Sequence, residues 1–133
     1  MKAVFADTAF FLALLNPRDQ HHRRAEELNA TLESPLLTTA WVLLELANAL
    51  SASRSRPLFE QVVRRLQTTP NVEIIAPEAA LFERGCDLYR DRSDKEWSLT
   101  DCISFVVMTE RELTDALTAD HHFEQEGFER LLA

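Results

Sequence analysis

The chain has 133 residues, 46 % of them apolar, with two glycines and five prolines. That composition suits a single domain over 1–133 and excludes disorder, collagen-like repeats and Gly-rich phosphate loops. A formal net charge of −8 excludes a broad basic nucleic-acid surface, but not an enzyme whose carboxylates gather round a cation.

Residues 2–6 carry the short apolar run of a buried parallel strand, and the run stops at Asp7. Asp7-Thr8 opens a helix predicted to reach Leu15 and to end at Asn16-Pro17. Ala25, Leu28 and Leu32 recur at helical spacing in a second helix from about Asp19 to Glu33, which Ser34-Pro35 breaks. Leu36–Thr39 reads as a second strand, and Ala40–Leu50 as the most apolar helix, with Glu45 in its middle. After a polar break from Ser51 to Arg56, an amphipathic helix is predicted over 57–69. Asn71–Ala76 alternates like a third strand, and Pro77 suits the first turn of a helix running to about Arg90. Ser98-Leu99-Thr100-Asp101 opens a helix to about Glu112, and 115–119 form a fourth strand ending at Asp120. The tail holds Phe123, Gly127, Phe128 and Leu131-Leu132, with no element assigned to it.

Cys86 and Cys102 fall in predicted helices and form no metal-ligand pattern, as expected of reduced thiols in cytoplasm. Lys2 followed by the apolar run Ala9–Leu15 mimics a signal peptide. Asp7 interrupts it, however, and Asn16-Pro17 stands where a small-residue cleavage site belongs. No apolar run approaches membrane-spanning length. The expectation is a soluble, cytoplasmic protein without membrane contact.

Strands alternating with helices imply right-handed crossovers and a mostly parallel sheet covered by helices on both faces. Such sheets bind ligands beyond the carboxyl ends of their strands, where Asp7 and Asp120 both fall. Each acid also has an ordinary structural role open to it. Asp7 can cap the helix after it, Ser98 with Asp101 resembles a capping box, and Asp120 can be a turn residue. Glu45, inside an otherwise apolar helix, either snorkels to the surface or has a buried partner. Together the four are more informative. Two carboxylates about 4 Å apart repel by about 4 kcal/mol at an effective dielectric near 20, so four stay ionised together only beside a cation. Oxygen donors without a Cys or His set point to Mg²⁺ or Mn²⁺ rather than zinc. The pairs His21-His22 and His121-His122 are expected on helix surfaces, because adjacent helical residues point to different faces and chelate poorly. The arginines and Lys95 are expected on solvated faces, some of them flanking the site and touching phosphates.

Several stretches in this order resemble the PIN-domain nucleases. These are Asp7-Thr8 after the first strand, Glu45 in an apolar helix, Trp97-Ser98-Leu99-Thr100-Asp101-Cys102 opening a later helix, and Ala116-Leu117-Thr118-Ala119-Asp120-His121-His122-Phe123 followed by Gly127-Phe128. The likeness is greatest to VapC-type toxins of toxin–antitoxin pairs and runs over nearly the whole chain. It implies a three-layer α/β/α fold and an endoribonuclease dependent on Mg²⁺ or Mn²⁺. It further implies inhibition by a cognate antitoxin and a toxin homodimer. Carried over by position, Asp7 and Asp101 resemble the principal metal ligands. Glu45 and Asp120 resemble the remaining acids, with Thr8 and Thr118 as supporting hydroxyls. An Arg-rich antitoxin segment entering the carboxylates in place of the cation would suit the acidic charge. Phe10, Phe11, Leu14 and Leu15 are either core or a dimer or antitoxin contact.

Rival readings fit less well. A haloacid-dehalogenase-like phosphatase wants a second Asp two residues after the first, where Ala9 stands. A receiver domain wants paired early acids and a late Lys after a strand, which are absent. A PIN-like housekeeping nuclease, or a non-catalytic acidic binding module whose acids are caps and surface charges, is the remaining alternative.

Overall fold

The computed structural model describes residues 1–133. In chain order its elements are β1 (Val4–Ala6), α1 (Thr8–Leu15), α2 (His22–Thr31), β2 (Leu36–Thr39), α3 (Ala40–Ala49), α4 (Arg56–Thr68), β3 (Val72–Ile75), α5 (Ala79–Asp91), α6 (Leu99–Glu110), β4 (Asp115–Leu117), α7 (His121–Gln125) and β5 (Glu129–Arg130). The strands form one sheet in the order β3-β2-β1-β4-β5, every neighbouring pair parallel. This is the expected α/β architecture, with helices in the crossovers that parallel neighbours require.

Strand β1 is central and buried throughout, which is why its sequence is a plain apolar run rather than an alternation. Strand β3 is at the edge, half-buried except for exposed Glu73. The direction in which strands are added reverses between β1 and β4. The chain leaving those two strands therefore diverges and opens a crevice at their carboxyl ends, the place where doubly wound sheets bind ligands.

One aromatic cluster ties the later motifs to the sheet. The Phe105 ring meets Trp97 edge-on at 5.0 Å and Phe123 at 4.9 Å, with Phe128 at 5.8 Å. Phe123 in turn lies 6.5 Å from Phe5 of β1. Trp97 satisfies its buried polar end by donating from Nε1 to Gln125 Oε1 at 2.8 Å. The openings of α6 and α7 are thus fixed to each other and to β1. In α1, Phe10 and Phe11 are core, whereas Leu14 and Leu15 are half-buried against it.

Three boundaries depart from expectation. Helix α2 starts at His22 rather than near Asp19, because Asp19 Oδ1 accepts from the His21 amide at 2.8 Å and holds a turn there. Pro77 precedes α5 rather than lying in its first turn, since Glu78 is the N-cap residue. Strand β4 stops at Leu117, because the Thr118 amide turns back to Ala116 O at 3.0 Å. Helix α7 and strand β5 were not expected at all. At five and two residues they are too short to show a period, and Gly127, with φ of 100°, makes the turn between them. No helix is long and apolar enough to cross a membrane.

Gly85 lets α5 lie against α6. A Cβ added there would sit 2.4 Å from Ile103 Cγ1, on a side chain buried in the core. Gly85→Ala is expected to lower stability by about 1–3 kcal/mol despite the better helix propensity of Ala. Thermal melting should show the loss, and Gly85→Ala should cost less in an Ile103→Ala background, where the clashing Cγ1 is gone.

Candidate metal centre

Asp7 leaves β1 into the crevice and is 5 % exposed. It occupies the N-cap position of α1, yet its side chain makes no capping bond. Its Oδ2 accepts instead from the Thr118 hydroxyl at 2.9 Å. Thr118, fully buried just past β4, also accepts from the Asp120 amide at 3.1 Å. A single hydroxyl so joins the ends of the two strands that flank the crevice.

Glu45 arrives from the other side. Thr39, the last residue of β2, caps α3 by accepting from the Val42 amide at 3.1 Å, which starts the helix at the sheet's carboxyl edge. Glu45 does not snorkel outward: the Thr8 hydroxyl donates to its Oε1 at 2.6 Å. Thr8, next to Asp7, thereby draws Glu45 towards β1.

Asp101 completes a capping box while its carboxylate also faces His122 and Asp120. The Ser98 hydroxyl accepts from the Asp101 amide at 3.0 Å, and Asp101 Oδ2 accepts from the Ser98 amide at 3.2 Å. The same Oδ2 lies 3.4 Å from His122 Nδ1. Asp120 is likewise the N-cap of α7, its Oδ1 accepting from the His122 amide at 2.9 Å and standing 3.3 Å from His122 Nδ1.

His122, expected on a helix surface, instead turns a ring nitrogen into the acidic cluster. Its Nδ1 is shut off from solvent, makes no hydrogen bond, and stands between Asp101 and Asp120. His121 is exposed, as expected of one member of the pair, although its ring nitrogen also comes within 3.7 Å of Asp120 Oδ1. The available signal was the position of His122 two residues past a strand-end acid, where capping turns the chain back on itself. His22 is not a free surface side chain either, since its Nδ1 is 2.6 Å from Ala13 O. Asp94, by contrast, pairs with Arg92 outside the crevice. Burial pushes the Cys102 thiol up to about 11, which leaves it inert.

The electrostatics follow from this placement. Burial raises the Asp7 carboxyl to about 7; the Thr118 hydrogen bond opposes that rise, and the charges of Asp101 and Glu45 add to it. Asp101 is also raised, by burial and then by the charge of Asp120, against the Ser98 amide and His122. No Lys or Arg forms an ion pair with Asp7, Glu45, Asp101 or Asp120. The donor set therefore fits a divalent cation: hard carboxylate oxygens short of positive charge, and a desolvated imidazole nitrogen with no partner. The tightest grouping of donors is Asp120, His121 and His122, whose ligand atoms lie within 4.8 Å of one another.

The PIN domain family matches residues 4–129. The chain is 30 % identical over 126 residues to the 23S rRNA-specific endonuclease VapC20 of Mycobacterium tuberculosis, covering 94 % of this chain and 95 % of that one. The crystal structure of Mycobacterium tuberculosis VapC20, a Sarcin-Ricin loop cleaving toxin, superposes with a TM-score of 0.83 at 26 % identity, over 94 % of this chain and 95 % of the other. FitAcB from Neisseria gonorrhoeae, at TM-score 0.64 and 17 % identity, covers 96 % of this chain and 95 % of its own. VapBC2 from Rickettsia felis bound to a promoter DNA fragment, at 0.66 and 15 %, covers 96 % of both. These last two share the fold.

The raised Asp7 carboxyl makes stability depend on pH in a stated direction. Between its ordinary value of 3.8 and about 7 the folded chain holds a proton that the unfolded chain has lost. Stability of the metal-free protein is therefore expected to fall as pH rises through that window, by on the order of 4 kcal/mol. Asp7→Asn should flatten the slope and melt higher than the wild type at pH 7 in a chelating buffer. Parallel melting profiles for the two proteins would contradict a buried, unpartnered carboxylate at this position.

Proposed function

Since the chain belongs to the PIN-domain family, we propose that it is a cytoplasmic VapC-type endoribonuclease, the toxin of a type II toxin–antitoxin pair, dependent on Mg²⁺ or Mn²⁺. The observation that carries this is the buried Asp7 at the strand-order reversal, with the charges of Asp101 and Glu45 acting on it, Asp120 acting on Asp101, and no Lys or Arg partner.

Asp7 and Asp101 would be the principal metal ligands, with Glu45 and Asp120 completing the acid set. When bound, the cation neutralises the phosphodiester and acidifies water enough to attack near neutral pH. The chain's own groups set the geometry. Thr118 fixes the rotamer of Asp7, Thr8 aims Glu45, and the Ser98 cap holds Asp101. In-line attack by water breaks the bond from phosphorus to the 3′ oxygen, leaving a 5′-phosphate and a 3′-hydroxyl. The 30 % identical relative, a 23S rRNA-specific endonuclease, makes ribosomal RNA the first substrate to try. His122 adds a nitrogen to an otherwise all-oxygen set, which favours Mn²⁺ over Mg²⁺.

The partners in this proposal are RNA, a cognate antitoxin and a second copy of the chain. A guanidinium from the antitoxin would supply the positive charge the acids lack. Homodimerisation suits the exposed apolar side chains on α3 and α5: Leu44 is 54 % exposed, Phe82 38 % and Tyr89 52 %, with Trp41 packed against Phe82.

Sequencing of RNA ends after incubation with purified protein tests the activity. Cleavage is expected to need a divalent cation, to leave 5′-phosphates, and to fall more than about 100-fold in Asp7→Asn, Glu45→Gln and Asp101→Asn. Ends bearing 2′,3′-cyclic phosphate, or cleavage undiminished in chelator, would refute the mechanism.

His122→Ala is a separate test. It is expected to weaken Mn²⁺ binding about tenfold in calorimetry while changing Mg²⁺ binding by less than about threefold. Nitrogen coupling in the spin-echo spectrum of bound Mn²⁺ should vanish with it. Equal loss of both metals would instead make His122 a residue that positions Asp101 and Asp120.

A further inference from the structure

Resting on the nuclease reading above, we propose that the groove between the end of α3 and the start of α4 binds the RNA phosphate backbone beside the scissile bond, with Arg56 and Arg64 as its cations. The groove has a volume of about 840 Å³, and its lining includes Asn48, Ser51, Ser53, Arg56, Phe59 and Arg64. Glu60 is the one acid on that lining.

Three observations converge on phosphate as the occupant. First, charge is segregated along the chain. Residues 51–68 hold four arginines and one glutamate, a local +3, against −11 for everything else. A polyanion approaching so acidic a protein gains from a cationic track, through release of its condensed counterions. Second, these arginines are unspent. Arg24, Arg84, Arg90, Arg92, Arg111 and Arg130 each pair with a carboxylate, whereas Arg54, Arg56, Arg64 and Arg65 form no ion pair. Glu60 lies four residues from both Arg56 and Arg64 on one helix, a spacing that favours pairing, and neither takes it. Arg56 instead donates from Nε to Ser51 O at 2.8 Å, which anchors its side chain and leaves the terminal amino groups for a ligand. Third, the groove adjoins the proposed centre. Asn48 follows Glu45 by three residues on α3 and so lies on the same face, one turn further along. A strand crossing the acids would run directly into it, and half-buried Phe59 offers an apolar surface to a base.

The test is binding of a fluorescein-labelled RNA hairpin of about 20 nucleotides, in the Asp7→Asn background so that the probe survives, across a salt series. Arg56→Gln with Arg64→Gln is expected to weaken binding about tenfold and to reduce the slope of log affinity against log salt by about 1.4, two contacts at about 0.7 each. Arg56→Lys with Arg64→Lys should recover the slope, and Arg23→Gln, exposed and without an ion pair on α2, should leave both unchanged. In the cleaving enzyme the Gln pair should raise KM with kcat nearly constant. Should the double variant melt early, each single variant is expected to lower the slope by about 0.7. A Gln pair indistinguishable from its parent overturns the groove and leaves the nuclease standing. So does an effect confined to antitoxin binding, which would give this surface to the partner protein. Wild-type protein that cleaves no RNA with Mg²⁺ or Mn²⁺ overturns the nuclease reading, and the groove with it.

Discussion

A carboxylate buried at the end of the central strand needs positive charge beside it, and no Lys or Arg of this chain supplies any. Asp7 has the Thr118 hydroxyl and little else, and burial raises it to about 7. A hydroxyl bond is worth far less than the desolvation of an ionised acid, so this arrangement opposes folding in isolation. Replacing Asp7 by an apolar residue would serve packing better. An external cation would offset that cost, and the surrounding local structures hold the acids in place.

Those local structures do two jobs at once. Thr39 caps α3 and so sets where Glu45 comes round the helix. Ser98 and Asp101 close a capping box while Asp101 keeps an oxygen near His122. Asp120 caps α7 and thereby turns His122 inward. Helix starts already need hydrogen-bond acceptors at their first turns, so acids stationed there are held by backbone amides at no extra packing cost. The Trp97–Phe105–Phe123–Phe128 cluster then fixes the caps of α6 and α7 in one rigid body with β1. Rigid caps are what a coordination site would require of these acids.

What was legible in the sequence follows the same logic. Asp7 and Asp120 could be placed because an apolar strand ending in an acid is a local pattern, and the parallel topology brings such ends together. Glu45 showed itself by being a charge in an apolar helix. Capping was correctly read as a possible role for Asp101, but as a rival to a place in the acid cluster, when Asp101 has both. His122 was misjudged because helical periodicity was applied to a stretch where α7 lasts five residues and its first turn is governed by a cap. Strand β5, two residues paired to β4, leaves no periodic trace and is defined by tertiary hydrogen bonds such as Glu129 N to Thr114 O at 2.8 Å. Long periodic elements are written locally; short ones are made by their neighbours.

Net charge was informative about the whole chain and silent about its parts. The sum of −8 conceals a +3 segment that begins six residues after Glu45. A flexible guanidinium able to reach the acids would compete with a cation for them. Arg56 is restrained by its bond to Ser51 O, and Arg64 lies two further turns along α4. Holding the chain's own arginines back keeps the acids open to a metal. It also leaves them open to a guanidinium delivered from outside, whose reach is not limited by α4. The charge deficit that would favour a cation at these acids would equally favour a guanidinium from an Arg-bearing partner.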